Sequence, residues 1–136
     1  GDCELPDGVS PREQLDAARE QIAAWWRPGL LPFMLGGDHT ATVSVIEALA
    51  PSFPELQILQ LDAHPDTREE FLGERYNYAS AMARVMDVVA PARVFQIGMR
   101  TGSREEDLNR RPNFYPVLAG HPVDVVRGLP CPVAAA

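Results

Sequence analysis

The sequence predicts an α/β domain in which a mostly parallel sheet lies between helical layers, α/β/α. Three observations predict it. Helix-type and strand-type patterns alternate as α-β-α-β-α-β until about residue 100. The strand-type runs are short, about five mostly apolar residues each, as expected of buried strands. The links between elements are short, so successive strands join one sheet through crossover helices.

Each element has its own signal. Residues 1–9 are polar and marked by Gly and Pro, which reads as loop. Ser10-Pro11-Arg12-Glu13 is a capping box with Pro at the first helical position. Leu15, Ala18, Ile22 and Trp25/Trp26 follow at helical spacing, and Pro28-Gly29 stops the helix. Leu30 to Leu35 reads as the first buried strand, broken by Gly36 and Gly37. Thr40 to Ala50 is the second predicted helix, ended by Pro51 and Pro54. Gln57 to Leu61 is the second strand, and Asp62 to Tyr76 a polar loop. Asn77 to Val89 is the third helix, with Ala79, Met82, Ala83, Met86 and Val89 inward. Val94 to Ile97 is the third strand, closed by Gly98. Beyond it the signal weakens: Arg104 to Asp107 opens a short helix, and Val123 to Val126 fits strand or helix.

Composition bounds the rest. The chain has 136 residues, 46% of them hydrophobic and 23% charged, which suits a globular domain and excludes a disordered tail or a coiled coil. With 12 basic and 19 acidic residues the net charge is −7, which argues against nucleic acid or anionic membrane as a partner. No apolar run approaches the roughly 20 residues that span a bilayer. Cys3 and Cys131 are far apart and form no C-x-x-C pair, which reads as a reduced, cytoplasmic setting. The whole of 1–136 reads as one partial domain. The Gly1 start and the Val133-Ala134-Ala135-Ala136 ending are read as marks of an incomplete piece.

In open parallel sheets, ligands gather beyond the carboxyl ends of the strands. Gly36-Gly37-Asp38-His39-Thr40 follows the first predicted strand, Asp62-Ala63-His64-Pro65-Asp66 the second, and Gly98-Met99-Arg100 the third. Three Asp and two His are thus expected along one edge, where unpaired buried carboxylates would be costly and a divalent cation would compensate them. In extended chain residues i, i+2 and i+4 face the same way, so Asp62, His64 and Asp66 are expected to turn toward one cavity. Carboxylates with imidazole favour Mn and leave Zn, Fe, Co or Ni open. The glycine pair is expected to let the chain turn sharply beside Asp38 and His39. Asp38 is also placed to cap the next helix. Trp25-Trp26, His121, Glu69-Glu70 and Glu105-Glu106-Asp107 read as core, rim or solvated surface.

Together these segments resemble the arginase/agmatinase (ureohydrolase) family, and its agmatinase branch most. The first metal signature is similar to Leu35-Gly-Gly-Asp-His39-Thr and the second to Leu61-Asp62-Ala-His64-Pro-Asp66. Thr67 to Glu74 and Gln96 to Gly102 resemble segments of the agmatinase branch. The resemblance runs from about residue 30 to 106. It implies an arginase-like three-layer fold and a hydrolase of linear amidine C–N bonds, which converts a cationic guanidinium compound such as agmatine to urea and an amine in polyamine metabolism and putrescine biosynthesis. It implies two Mn²⁺ ions, with His39, Asp62 and Asp66 on one, His64 on the other, and Asp62 bridging. Two cations make water acidic enough to supply hydroxide near neutral pH. By resemblance Asp66 is the catalytic proton carrier, Asp38 supports the loop from behind, and the full-length protein is a homo-oligomer.

Two departures stand out. The position of a family histidine aligns with Tyr78, which is expected to contact substrate, although a phenol with an ordinary pKa near 10 relays protons poorly at neutral pH. A later Asp-x-Asp pair and a Glu of the family have no counterpart, since Asp124 is the only Asp after residue 107. The expected function is therefore an agmatinase-like ureohydrolase, inactive as this chain. The alternatives are a non-catalytic metal-binding or interaction module of the same fold and, third, a two-metal phosphoesterase using Arg68 and Arg100.

Overall fold

The computed structural model describes residues 1–108 and 113–115. Helix α1, Pro11–Trp25, starts at the expected capping box: Ser10 Oγ accepts from the Glu13 amide, and the Glu13 carboxylate takes the Ser10 amide. Its end is extended chain at Trp26 and a turn in which Gly29 has φ +88°, a conformation that suits glycine. Helix α2 is Ala41–Leu49, followed by a 3₁₀ turn over Ala50–Ser52. Strand β1 is Ile58–Leu61. Helix α3 is Ala81–Val85, entered through a 3₁₀ turn over Tyr78–Ser80 that Asn77 caps by accepting from the Ala79 amide at 2.8 Å. Strand β2 is Val94–Ile97, helix α4 Arg104–Leu108, and strand β3 Asn113–Tyr115.

The three strands form a parallel sheet in the order β1-β2-β3, with Gln60 opposite Gln96 and Gln96 opposite Phe114. One buried cluster holds helices to the sheet and a second joins the helices to one another. Met82, Val85, Met86 and Val89 pack with Val94, joined by Ile46, Leu56 and Ile58. Leu15, Val43 and Ala81 form the second, against Tyr76. Arg12 ties α1 to α2 through both carboxylate oxygens of Glu47, at 2.7 and 3.0 Å, and pairs with Asp16 on its own helix. Such a fork-to-carboxylate contact fixes geometry as well as charge.

Several expectations need correction. Leu30 to Leu35 forms no strand: Leu31, Phe33 and Leu35 are 92%, 86% and 87% exposed. An apolar run supplies a drive to be buried, but a strand also needs a ladder partner. Among the described residues β1 is bonded on one side only, to β2. Leu59 and Leu61, on the opposite face of β1 from Ile58 and Gln60, are exposed as well. The third helix is shorter than expected, passing from a 3₁₀ turn into five α-helical residues and then turns, yet its inward residues Ala79, Met82, Ala83, Met86 and Val89 are all buried. Strand β3 was not foreseen. Val123 to Val126, His121 and Cys131 lie outside the described residues.

Candidate metal centre

The edge beyond the carboxyl ends of β1 and β2 is built by two loops that clasp each other. The Asp62 amide extends the ladder to the Ile97 carbonyl at 3.1 Å. The Ala63 carbonyl then accepts the amides of Arg100 and Thr101 and the Thr101 hydroxyl. Gly98 makes this possible: its φ is +96°, and a Cβ there would lie 2.8 Å from the Asp62 carbonyl oxygen.

Asp62 turns back on itself, its Oδ1 accepting the His64 amide at 3.0 Å, the geometry of an Asx turn. Asp66 sits in the left-handed region at φ 50°, which Asp tolerates better than most residues. Its carbonyl takes the amides of Met82 and Ala83 at the start of α3. Its side chain reaches the other way, with Oδ2 2.7 Å from His39 Nδ1. The result is a group of His39, Asp62 and Asp66, all half-buried, with one ligand atom of each within 4.8 Å of the others. Ligands about 2.0–2.4 Å from a single ion lie no more than about 4.8 Å apart, so this donor set fits one divalent cation.

The loop is not extended: Asp62, His64 and Asp66 all line one cleft as expected, but turns rather than strand alternation bring them there. The Asx turn at Asp62 and the left-handed Asp66 swing His64 out of the cluster, with its side chain 62% exposed and Nδ1 3.4 Å from Asp62 Oδ1. His64 still lines the same cleft, of about 730 Å³. Gly36 and Gly37 do not use left-handed backbone; instead a Cβ on Gly36 would come 3.2 Å from Ala41 Cβ, at the start of α2. Asp38 Oδ1 accepts from the Thr40 amide at 2.8 Å and from the Thr40 hydroxyl, so it shapes the loop ahead of α2.

The electrostatics suit a cation. The hydrogen bond to Asp66 raises the His39 pKa against the opposing effect of burial, and the charges of Asp66, Asp62 and Asp38 add to the rise. Burial pushes Asp62 up, but hydrogen bonds from the His64 amide, the Gln60 side chain and the Ala63 amide, with His39 nearby, bring it below the ordinary carboxylate value. One wall of the cleft is aromatic: Phe71 and Tyr78 meet edge to face at 5.8 Å, and Tyr78 is 53% exposed. Arg68 lies 5.1 Å from the Phe71 ring centre and 3.6 Å from Glu106 Oε2.

Some residues here were misread or missed. Glu106 is not solvated surface but 4% exposed, accepting the Ser103 amide at 2.7 Å. Glu69 pairs at 2.8 Å with Arg84, which is buried in the middle of α3. Gln60 and Gln96, buried beneath the loop, carried no local signal beyond being polar residues inside apolar strands.

Ligand-type side chains gathered at the carboxyl edge of a parallel sheet make this a candidate metal-binding α/β domain. The chain belongs to the arginase family, whose model matches residues 1–117. It is 35% identical over 106 residues to the agmatinase of Bacillus anthracis, covering 78% of this chain and 36% of that protein. It is 36% identical over 111 residues to the mitochondrial guanidino acid hydrolase of Homo sapiens, covering 78% and 31%. Among solved structures, the proclavaminate amidino hydrolase of Streptomyces clavuligerus superposes with a TM-score of 0.72 at 27% identity, over 85% of this chain and 40% of that one. The chain thus spans about a third of the length of the curated relatives it matches. Among the described residues no helix is long and apolar enough to cross a membrane.

Proposed function

We propose that this chain supplies His39, Asp62 and Asp66, with His64 beside them, to a binuclear Mn²⁺ site at which a guanidinium compound is hydrolysed to urea and an amine. The carrying observation is the convergence of His39, Asp62 and Asp66 ligand atoms within 4.8 Å at the carboxyl edge of the sheet. The family membership and the names of the relatives, an agmatinase and a guanidino acid hydrolase, support a guanidino C–N bond as the target. Agmatine is the substrate this reading favours, in a cytoplasmic homo-oligomer.

Bound manganese supplies Lewis acidity, which makes hydrolytic water more acidic. The chain's own residues do the rest. The aromatic wall of Phe71 and Tyr78 offers ring faces and a phenol to a planar cation. The negative edge formed by Asp38, Asp62 and Asp66 draws the guanidinium in. Asp66, whose Oδ2 faces the His39 imidazole, is the carboxylate that carries a proton to the departing amine. Asp38 holds the turn that presents His39.

The test is equilibrium dialysis of the chain against Mn²⁺ with elemental analysis, followed by a urea assay with agmatine, 4-guanidinobutyrate and arginine. Metal uptake that His39→Ala and Asp66→Ala abolish supports the site. Equal uptake by the wild type and both variants sinks it. Specific uptake without urea release is the outcome expected of this chain alone; a longer version that also carries an Asp-x-Asp pair, takes up Mn²⁺ and still releases no urea favours the second reading, a metal-binding module without catalysis.

A further inference from the structure

We infer that Gln60 and Gln96 are positioning residues: a buried pair of amides, one on each of two neighbouring strands, that fixes the path of the loop from Asp62 to Asp66 and braces the Asp62 carboxylate. The inference rests on the metal-site reading above for its purpose, but not for its geometry.

The two residues are register partners in the parallel pair β1–β2. Gln60 is 7% exposed and Gln96 fully buried. Gln96 Nε2 donates to Gln60 Oε1 and to the Pro65 carbonyl, the latter at 2.7 Å. Gln60 Nε2 donates to the His64 carbonyl at 3.0 Å and, at a longer 3.4 Å, to Asp62 Oδ2. All four N–H groups are therefore spent, and three of them go to the loop that carries the candidate ligands.

The direction is forced. Turning Gln60 over would aim its oxygen at the Asp62 carboxylate and the His64 carbonyl, acceptor against acceptor. Turning Gln96 over would do the same at Pro65. The pair can only donate toward the loop. With Oδ1 taken by the His64 amide and Oδ2 by Gln60, the Asp62 carboxylate has one orientation.

A purely structural role does not account for the pair. Among the described residues Gln96 Oε1 is buried and finds no hydrogen-bond partner, which is unfavourable. A Met of similar volume would fill the same space without that orphan acceptor. What a Met would lack is the donor that reaches Pro65. The pair therefore serves the loop rather than the core around it. Partners that orient a ligand without touching the metal commonly change metal affinity by about 10–100-fold when removed.

The experiment compares the wild-type chain with Gln60→Met and Gln96→Met, two substitutions that keep volume and remove the donors. Two quantities are read: the Kd for Mn²⁺, from the free-ion electron paramagnetic resonance signal, and amide hydrogen exchange of the metal-free chain. The expected result is a Kd weaker by about 10–100-fold, with the His64 amide exchanging faster and the Val89 amide, bonded to Val85 in the core, unchanged. Unchanged Kd and unchanged His64 exchange would overturn the inference. Faster exchange at His64 and Val89 alike would also overturn it, because that marks a general loosening of the core. If even the wild type takes up no Mn²⁺, the metal reading fails, and His64 exchange alone still decides whether the two amides set the loop.

Discussion

His39 and Asp66 hold each other across 27 residues of chain, Nδ1 to Oδ2 at 2.7 Å. One residue comes from the loop before α2, the other from the loop before α3. The pair is at once a tertiary hydrogen bond and two of the three members of the candidate ligand cluster.

That dual role gives opposite pH trends with and without metal. The His39 pKa is raised chiefly by its hydrogen bond to Asp66. In the metal-free chain the stabilisation is fully present below the unfolded value near 6.5 and is lost as pH rises through the higher folded value. Metal needs the neutral imidazole, so Mn²⁺ binding tightens over the same rise and releases a proton. Denaturation of wild type and His39→Asn across about pH 6 to 8 should show their stability difference shrinking with pH. A difference that grows would refute the assignment.

Asp66 separates backbone from side chain. Asn shares its tolerance of the left-handed region and keeps an oxygen at the same reach. Asp66→Asn is expected to keep thermal stability near wild type while weakening Mn²⁺ binding by at least about tenfold. Asp66→Ala should lose both, since Ala adopts positive φ at a cost of about 1 kcal/mol or more. Thermal unfolding alongside metal titration checks the pair; equal melting of the two variants would contradict it.

Gly98→Ala should destabilise the chain by about 1–3 kcal/mol or more. The new Cβ would meet the Asp62 carbonyl at 2.8 Å, and the φ of +96° is itself unfavourable for Ala. Urea denaturation reads the loss, and Gly73→Ala, at φ +79° with open space around it, isolates the backbone part. If the two cost the same, the close approach to Asp62 is not decisive.

Arg84 is 1% exposed, yet its guanidinium meets Glu69 at 2.8 Å and Asp87 at 3.1 Å and lies near the Tyr76 ring. Arg84→Ala is expected to cost about 2–5 kcal/mol, chiefly from the unfilled core, because Glu69 and Asp87 are 43% and 40% exposed and are not left as buried charges. Arg84→Met, which keeps most of the volume, should recover a large part of it. Equilibrium denaturation decides, and equal losses for both would show that the charge matters more than the packing.

What could be read in advance followed from how local each signal is. The Ser10–Glu13 box needs four consecutive residues, and it formed as expected. The positions of β1 and β2 followed from short apolar runs, and the placement of Asp62 and Asp66 just beyond β1 from the way parallel sheets present their ends; His39 reaches the same edge from the loop before α2, behind a segment that forms no strand. Leu30 to Leu35 failed because a strand is a property of two segments, and only one is visible in a local pattern. Asp62, His64 and Asp66 do line one cleft, but by an Asx turn and a left-handed residue rather than by the alternation of extended chain, and such turns leave no periodic pattern. Gln60 with Gln96, Arg68 with Glu106, and Arg84 with Glu69 are pairings between distant residues that no spacing rule announces.

The close approach of Gly98 to Asp62 also bears on the order of folding. The two residues are 98 − 62 = 36 positions apart, and they meet only when β1 and β2 lie in register. Contacts of such separation form after local helices, because the loop between them must first be closed. The capped α1 can form early, but the ligand cluster has to wait for the sheet. A partly folded chain therefore has no competent site, and the ion is expected to enter last, as a seal on a nearly finished structure. Stopped-flow refolding with and without Mn²⁺ should then give the same folding rate and differ only in the rate of unfolding.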